Sequence, residues 1–244
     1  MLEGLYTAAA GMAAQQQRMD AVSNDIANVN TAGYKKVRTG FRDLVYTAQG
    51  NLAPNARTGS GASMVQIGRG VQQGALRLTS EPFDLAIQGE GYFQIRRPDG
   101  QLALTRDGSF RVDESGQVVT PTGSLLVPPI RVPAGVDPSA VAIGKDGVVT
   151  AAGQAIGRIN LMTVASPTGL AAAGDNQYLT TAASGPARAA GAATITQGAL
   201  EASNVDLGDS MVDLLDAQRS FQMGSRAVQM QDKMMEIANG LKVS

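Results

Sequence analysis

Apolar side chains recur every seventh residue near the N terminus, a spacing typical of helices that pack lengthwise on other helices. The main row consists of Leu5, Met12, Met19 and Ile26, and a second row three residues further on includes Val22. The sequence Asn-Val-Asn-Thr-Ala-Gly follows at residues 28–33. Because Asn and Gly tolerate the left-handed conformation in which helices end, we expect the first helix to end there.

The C-terminal residues carry two apolar stripes at helical spacing. The first stripe consists of Met211, Leu214, Phe221, Val228 and Met235. The second stripe consists of Met223, Ala227, Met230, Met234, Ile237 and Leu241. About 37 residues here lack proline, so the helix would be roughly 55 Å long at about 1.5 Å per residue. Such a helix exceeds the diameter of a small domain and must project from it or lie along another element.

The start of this helix is marked by Ser203 and Asp206, whose spacing matches a capping box and predicts a helix that opens at Ser203. Glu201 and Asp206 would then lie near the positive end of the helix dipole, which stabilises carboxylates. We therefore interpret both acidic residues as helix-end residues and not as acid–base groups.

Short alternating runs of apolar and polar residues fill the middle of the chain. Turn dipeptides such as Asp99-Gly100 and Asp107-Gly108 separate them, which predicts an antiparallel meander. Residues 47–63 are small, polar and rich in glycine, which indicates a surface loop or an extended hairpin. The sequence Gln-Gly-Ala-Leu occurs at 73–76 and again at 197–200, either by chance or as two equivalent strands that bracket the β-rich region.

These patterns predict an α+β protein. Long N- and C-terminal helices would form a coiled-coil-like assembly domain, and a central antiparallel β-rich domain would lie between them in sequence. The predicted divisions are an N-terminal helix at 1–33, a linker with an extended loop or hairpin at 34–75, a central β-rich domain at 76–196, and a return strand with the C-terminal helix at 197–244.

Composition argues against catalysis. The 244 residues include no Cys, no His and no Trp, and the formal net charge is −1. Disulfides, thiolate metal sites and histidine-based catalysis are thereby excluded, so we expect no enzyme activity and no cofactor. No basic block is present, so we expect no nucleic-acid partner. Glu3 and the polar residues 15–18 argue against a cleaved signal peptide, and no stretch approaches the roughly 20 apolar residues of a membrane span.

Four stretches resemble signatures of the bacterial flagellar axial proteins, the family of the rod and hook. They are residues 27–35 (ANVNTAGYK), 83–93 (FDLAIQGEGYF), 104–110 (LTRDGSF), and the stretch from 197–205 (QGALEASNV) through 218–221 (QRSF). They occur in the family's order and span nearly the whole chain. The motif positions are Asn30, Thr31, Gly33, Tyr34, Asp84, Gly89, Gly91, Phe93, Arg106, Asp107 and Gly108.

The resemblance implies a structural subunit of the flagellar basal-body rod. Such a subunit polymerises into a helical tube that transmits motor torque to the hook and forms part of the export channel. It also implies contacts with other rod and hook subunits, and export across the inner membrane by the flagellar type III apparatus without signal cleavage. The residues expected at the assembly interface are Leu5, Met12, Met19, Val22, Ile26, Asn28, Met211, Leu214, Phe221, Val228, Met230, Met234 and Ile237. For Asn28, a helix-end role and a register-setting role between helices are both open.

Two alternatives accompany this interpretation. The length and the segment at 47–66 are most similar to distal rod subunits, and proximal rod or hook subunits are the alternatives within the family. In a different class, the chain would be an exported β-domain that binds or cleaves cell-wall polysaccharide, with the helices as a dimerisation arm. Only 4% of the residues are aromatic and no catalytic carboxylate pair is evident, which argues against that class. Concentration-dependent polymerisation would discriminate between the two classes.

Overall fold

The computed structural model describes residues 2–44, 46–48, 57–59 and 61–241. The chain forms two compact units that interleave along the sequence. The first unit contains Met1–Ala27, Val37–Ile67 and Asp206–Ser244, and the second contains Asn28–Lys36 and Gly68–Val205. The chain therefore passes between the two units four times.

Two long helices dominate the first unit. Helix α1 spans Leu2–Ala27 and helix α2 spans Leu207–Leu241. They run antiparallel: a Cβ on Gly4 would lie 3.2 Å from Gln231 Nε2, and Arg18 Nη2 lies 2.9 Å from Asp213 Oδ1. The two helices approach closely where α2 carries a small residue, Ala217, which is completely buried. Within the described residues, neither helix is long and apolar enough to cross a membrane.

A β-ribbon completes the first unit. Its strands are β1 (Val37–Asp43), β2 (Tyr46–Ala48), β3 (Arg57–Gly59) and β4 (Ala62–Arg69). Strand β1 pairs with β4, and β2 pairs antiparallel with β3. The ribbon approaches α1 closely, since a Cβ on Gly61 would lie 2.9 Å from the Ala10 Cβ. Residues 49–56, in the middle of the glycine-rich sequence 47–63, lie outside the described residues.

The second unit contains the remaining described strands, all short. They are β5 (Leu76–Leu78), β6 (Leu85–Gln88), β7 (Tyr92–Arg96), β8 (Leu102–Thr105), β9 (Arg111–Val112), β10 (Val118–Val119), β11 (Leu125–Leu126), β12 (Val141–Ile143), β13 (Val148–Ala151), β14 (Gln154–Arg158), β15 (Leu161–Thr163), β16 (Ala171–Ala172), β17 (Gln177–Leu179), β18 (Arg188–Ala189), β19 (Thr194–Gln197) and β20 (Ala199–Glu201).

The largest sheet of the second unit has nine strands. Its main path is β16-β17-β8-β7-β11-β10-β9, and β15 pairs with both β7 and β18. Strands β12, β13 and β14 form a separate three-stranded sheet, and β6 pairs with β19. The core between them includes Phe93, Leu85, Ile87 and Ile195, each at most 1% exposed. Alternate inward residues, such as Phe93 and Ile95 on β7, give this core the period of two that the meander predicted.

The predicted α+β class, with helices near both termini and antiparallel strands between them, is confirmed. The predicted start of the second helix is wrong. Helix α2 begins at Leu207, and Asp206 is its cap, because the Asp209 N–H donates to Asp206 Oδ1 at 3.0 Å. Ser203 Oγ instead accepts from the Val205 N–H at 3.3 Å, within the turn before the helix.

Strands β5 and β20 contain the end of each copy of the repeated Gln-Gly-Ala-Leu sequence, and they pair with each other. Ala199 lies opposite Leu78, and Glu201 lies opposite Leu76. Each copy of the repeat therefore leads into one strand of the same antiparallel pair. The second copy leads directly to the residues that precede α2.

Candidate functional site

Helix α2 has two apolar faces with opposite exposure. The covered face follows alternating steps of four and three residues through Ser210, Leu214, Ala217, Phe221, Gly224, Val228, Gln231 and Met235, all of them buried or half-buried. Ser210 and Ala217 are 0% exposed. A Cβ on Gly224 would lie 2.8 Å from Met12 Cγ on α1, so this face packs against α1.

The opposite face of α2 is uncovered from Val212 to Ile237. Its large apolar residues are between half and two-thirds exposed, and they are Val212, Leu215, Met223, Met230, Met234 and Ile237. These positions lie on the second stripe or extend it toward the start of the helix. A soluble protein seldom presents such a continuous apolar row to water, which makes this face a candidate interaction surface.

The residues expected at an assembly interface therefore divide into two groups. Leu5, Met12, Met19 and Ile26 are half-buried on α1 and Val22 is buried. Leu214, Phe221 and Val228 are half-buried on α2, whereas Met211, Met230, Met234 and Ile237 are exposed. Asn28 follows the end of α1, where its carbonyl oxygen accepts from the Thr31 N–H at 3.1 Å and its Oδ1 accepts from Thr31 Oγ1 at 3.1 Å.

A cluster of buried charges lies in the second unit, at the return strand. Glu201 on β20 is 1% exposed. Its Oε1 accepts from the Lys35 ammonium and from the Gly74 N–H at 3.0 Å, and its Oε2 accepts from Arg106 Nη1 at 3.1 Å. The expectation that Glu201 serves the helix dipole is wrong, because its carboxylate is taken up by these three donors six residues before α2 begins. We call Lys35, Arg106, Glu201 and their bonded neighbours the Glu201 cluster.

Arg106 and Lys35 each contact further groups besides Glu201. Arg106 Nη2 donates to the Gly89 carbonyl at 2.8 Å, and the guanidinium lies over the Tyr92 ring, 5.3 Å from its centroid. Lys35 Nζ also donates to the Gln72 carbonyl at 2.7 Å. Burial lowers the pKa of Lys35 below its usual 10.5, and this effect outweighs the hydrogen bond and attraction of Glu201, which raise it.

Hydrogen bonds between side chains and backbone groups extend the cluster to neighbouring residues. Asn204 Oδ1 accepts from the Lys36 N–H at 2.7 Å, and Asn204 Nδ2 donates to the Gln72 carbonyl at 3.1 Å. Arg69 Nη1 donates to the Lys35 carbonyl at 3.0 Å, and its guanidinium lies 5.1 Å from the centroid of the Tyr34 ring. The cluster thus joins residues 33–36, 69–74 and 201–204.

The motif glycines allow backbones to come together around this cluster. Gly33 has φ +68°, and a Cβ there would lie 2.6 Å from both Arg106 C and Asp107 N. Its N–H donates to the Glu201 carbonyl at 2.8 Å. A Cβ on Gly108 would lie 1.6 Å from the Leu85 carbonyl oxygen. No side chain larger than hydrogen fits at either position without a backbone shift.

The other motif residues build the strands and turns next to the cluster. Asp84 forms a bridge with Ser109, and Asp107 Oδ1 accepts from the Ser109 N–H at 3.0 Å, which closes the turn. Phe93 is completely buried and contacts the Phe110 ring edge-on at 5.1 Å. Gly91 is buried near Ala193, and Asn30 is exposed. The signatures of the sequence thus specify the frame in which Lys35, Arg106 and Glu201 meet.

Sequence reasoning missed the Glu201 cluster because its members lie far apart along the chain. Lys35 and Arg106 were within two of the motifs, and Glu201 follows the second Gln-Gly-Ala-Leu repeat directly. The position of Glu201 directly after the second copy of the repeat was the one sequence feature that pointed to this residue. The sequence alone could not show that the first, third and fourth signature stretches, which contain Lys35, Arg106 and Glu201, meet in the structure.

Comparison with known proteins gives the class to which this architecture belongs. Three family models match: one described as "Flagella basal body rod protein" at residues 5–35, one as "Flagellar hook protein FlgE/F/G D1 domain" at 86–151, and one as "Flagellar basal body rod FlgEFG protein C-terminal" at 196–241. Together they describe structural subunits of the flagellar axis.

Curated relatives match along their full length. The chain is 35% identical over 263 residues to the flagellar basal-body rod protein FlgG of Borreliella burgdorferi, with 99% of each chain covered. It is 38% identical to FlgG of Caulobacter vibrioides, with 99% of this chain and 100% of that protein covered. FlgF of Caulobacter vibrioides is 32% identical, with 91% and 90% covered. The chain belongs to the flagellar basal-body rod protein family and is a structural rod subunit.

Proposed function

We propose that this rod subunit polymerises through the uncovered face of α2, which packs against helices of neighbouring copies. One observation carries the proposal. Helix α2 has apolar residues at helical spacing on two opposite faces, and α1 covers only one of them. A helix that is apolar on both faces is typical of the interior of a larger helical assembly.

The exposure of this face is costly for an isolated chain. Met223, Met230 and Ile237 lie at seven-residue intervals and are 64%, 60% and 65% exposed. Burying a large aliphatic side chain completely contributes about 1.5–3 kcal/mol, and these residues have most of that contribution still available. Methionine also adapts its shape to irregular gaps, which suits contacts repeated between copies related by a helical rather than an exact twofold operation.

In the assembled rod, the helices of many copies form the inner tube and the β-rich units form its wall. The tube transmits torque from the motor to the hook, and its lumen is part of the path of later exported subunits. Its other partners are the remaining rod and hook subunits and the type III export apparatus, through which the chain passes without cleavage. Full-length similarity to FlgG supports a distal rod position, with a proximal rod or hook position as the alternative.

The experiment compares two neighbouring substitutions on α2. Met230→Asp places a charge on the uncovered apolar face, and Gln229→Asp places the same charge about 100° around the helix, at an exposed polar position. The two substitutions change helix propensity by similar amounts, so a difference in polymerisation between them arises from the surface that carries the charge and not from the stability of the helix. Purified chains are compared by sedimentation across a range of concentrations.

We expect Met230→Asp to raise the concentration needed for polymerisation by about a hundredfold or more, because an unpaired charge buried in an apolar contact costs several kcal/mol and about 1.4 kcal/mol is tenfold. Gln229→Asp should polymerise like the unmodified chain. Equal polymerisation by both variants would show that the uncovered face is not the assembly surface.

A further inference from the structure

The Glu201 cluster lies where the chain enters and leaves the second unit. The first stretch of that unit ends at Lys36, the second begins at Gly68 and ends at Val205. Cluster members sit beside each of these points: Lys35 and Lys36 at the first, Arg69 and Gln72 at the second, Glu201 and Asn204 at the third. Every passage of the chain between the units therefore borders the cluster, apart from the entry at Asn28.

Glu201 is the residue that joins these stretches most directly. Its carboxylate bonds Lys35 on the first stretch and Gly74 near the start of the second. Its backbone carbonyl accepts from Gly33, and its other carboxylate oxygen holds Arg106 in the β-rich part of the unit. Hydrogen bonds between charged groups are stronger than those between neutral groups, and burial excludes water that would compete for them.

We propose that the Glu201 cluster transmits mechanical force within the second unit of the rod subunit and acts there as a joint between its chain segments. Force that travels along the chain from α1 or α2 enters the second unit at these stretches. Because they are bonded to each other and to Arg106, the force is shared among them. A single stretch bonded on its own would instead separate from the unit one bond at a time. The proposal rests on the rod function proposed above and assigns to Glu201, a residue outside the helices, a positioning role in torque transmission.

The charges make the joint dependent on Glu201. Arg106 and Lys35 bring two buried cations to one carboxylate, and Arg106 Nε has no hydrogen-bond partner among the described residues. When the carboxylate is removed, both cations are left buried without a counter-charge, which is strongly unfavourable. The first stretch and the β-rich part should then separate locally before the unit unfolds as a whole.

The test uses the full chain with an isosteric substitution, Glu201→Gln. A second, milder variant, Asn204→Ala, removes the bonds to Lys36 and Gln72 without leaving a buried charge. The matched control is Asp113→Asn, which removes one carboxylate charge from an exposed turn of the same unit. The readout is the rate of tryptic cleavage after Lys35 and Lys36, relative to cleavage after the exposed Arg188.

We expect Glu201→Gln to increase cleavage after Lys35 and Lys36 by about tenfold or more, and Asn204→Ala by a smaller factor, since proteolysis follows the population of the locally open state. Asp113→Asn should leave the rate unchanged. Glu201→Gln chains should still polymerise, because their helices are intact, but electron micrographs should show polymers with a shorter persistence length. Unchanged cleavage in both cluster variants, or polymers as stiff as those of the unmodified chain, would overturn the proposal.

The assembly proposal and the proposal for the Glu201 cluster fail through different experimental results. Unmodified chains that never polymerise would contradict the assembly proposal. The cleavage rates of the monomers would still decide whether Glu201 holds Lys35, Gly74 and Arg106 together. If Glu201→Gln chains do not fold, Asn204→Ala supplies both the cleavage and the stiffness measurement.

Discussion

Replacing Gly33 with alanine should destabilise the second unit for two separable reasons. Gly33 has φ +68°, and an L-residue in this left-handed conformation costs roughly 1–2 kcal/mol. The added Cβ would also lie 2.6 Å from the backbone of Arg106 and Asp107. Because backbone atoms cannot move aside like the end of a side chain, we add an overpacking cost of about 1–3 kcal/mol. The expected total loss in the free energy of unfolding is about 2–5 kcal/mol.

Gly123→Ala is the matched control for the free-energy cost of the left-handed conformation. Gly123 has φ +81°, and a Cβ there would meet nothing within 4 Å. This variant should lose only the roughly 1–2 kcal/mol of the left-handed conformation. Both losses are measured by urea unfolding of dilute chains, followed by the near-ultraviolet circular dichroism of the buried Tyr178 and its neighbour Tyr92.

The difference between the two variants isolates the contact of Gly33 with the Arg106–Asp107 peptide. We expect Gly33→Ala to be less stable than Gly123→Ala by at least about 1 kcal/mol. If the two variants lose the same free energy, the close approach at Gly33 contributes nothing, and the glycine of the first motif is explained by its backbone conformation alone.

Three further results are expected. Val228→Pro should abolish polymerisation, since proline inside a helix costs about 3 kcal/mol or more, yet leave the melting of the second unit unchanged in calorimetry. Burial lowers the pKa of Lys35, so between that lowered pKa and 10.5 the unfolded chain binds more protons than the folded chain. The free energy of unfolding, measured by urea titration, should therefore rise with pH in this range. The Lys35→Met variant should lack this rise. Limited proteolysis of monomers should remove α1 and α2 and leave a resistant core of roughly residues 28–205, identified by mass spectrometry; intact α1 or α2 in a proven monomer would contradict this.

The helices were predictable because their signal is local and repeated. Seven-residue spacing placed Leu214, Phe221, Val228 and Met235 on one face of α2, as the structure has them, whereas Met211 of the same predicted stripe is exposed. It could not tell which stripe faces α1, because both are apolar and the choice depends on small residues such as Ala217 and Gly224 that allow close packing. The start of α2 was misplaced because both Ser203 and Asp206 can cap a helix, and only the second does so.

The Glu201 cluster was not predictable because it depends on three distant stretches. Glu201 and Lys35 are 166 residues apart in the sequence, and Glu201 and Arg106 are 95 apart. A single sequence carries no pairing information over such distances. Proximity to the predicted helix favoured a dipole role for Glu201, whereas its pairing on β20 with β5 turns the carboxylate toward Lys35 and Arg106. Motif glycines such as Gly33 were recognised as a helix-end signal, but the backbone they accommodate belongs to another motif.

The accessibility of position 230 before and after assembly shows whether the uncovered face of α2 packs against a neighbouring copy in the rod. The chain contains no cysteine, so a single cysteine introduced by Met230→Cys or, as the control, Gln229→Cys is the only thiol that a maleimide can label. Both positions are exposed in the single chain and should react equally fast in dilute monomers. In assembled rods, we expect the cysteine at position 230 to be protected and the cysteine at position 229 to react faster. Equal labelling of both positions in the rods would contradict packing of the uncovered face of α2 against a neighbouring copy.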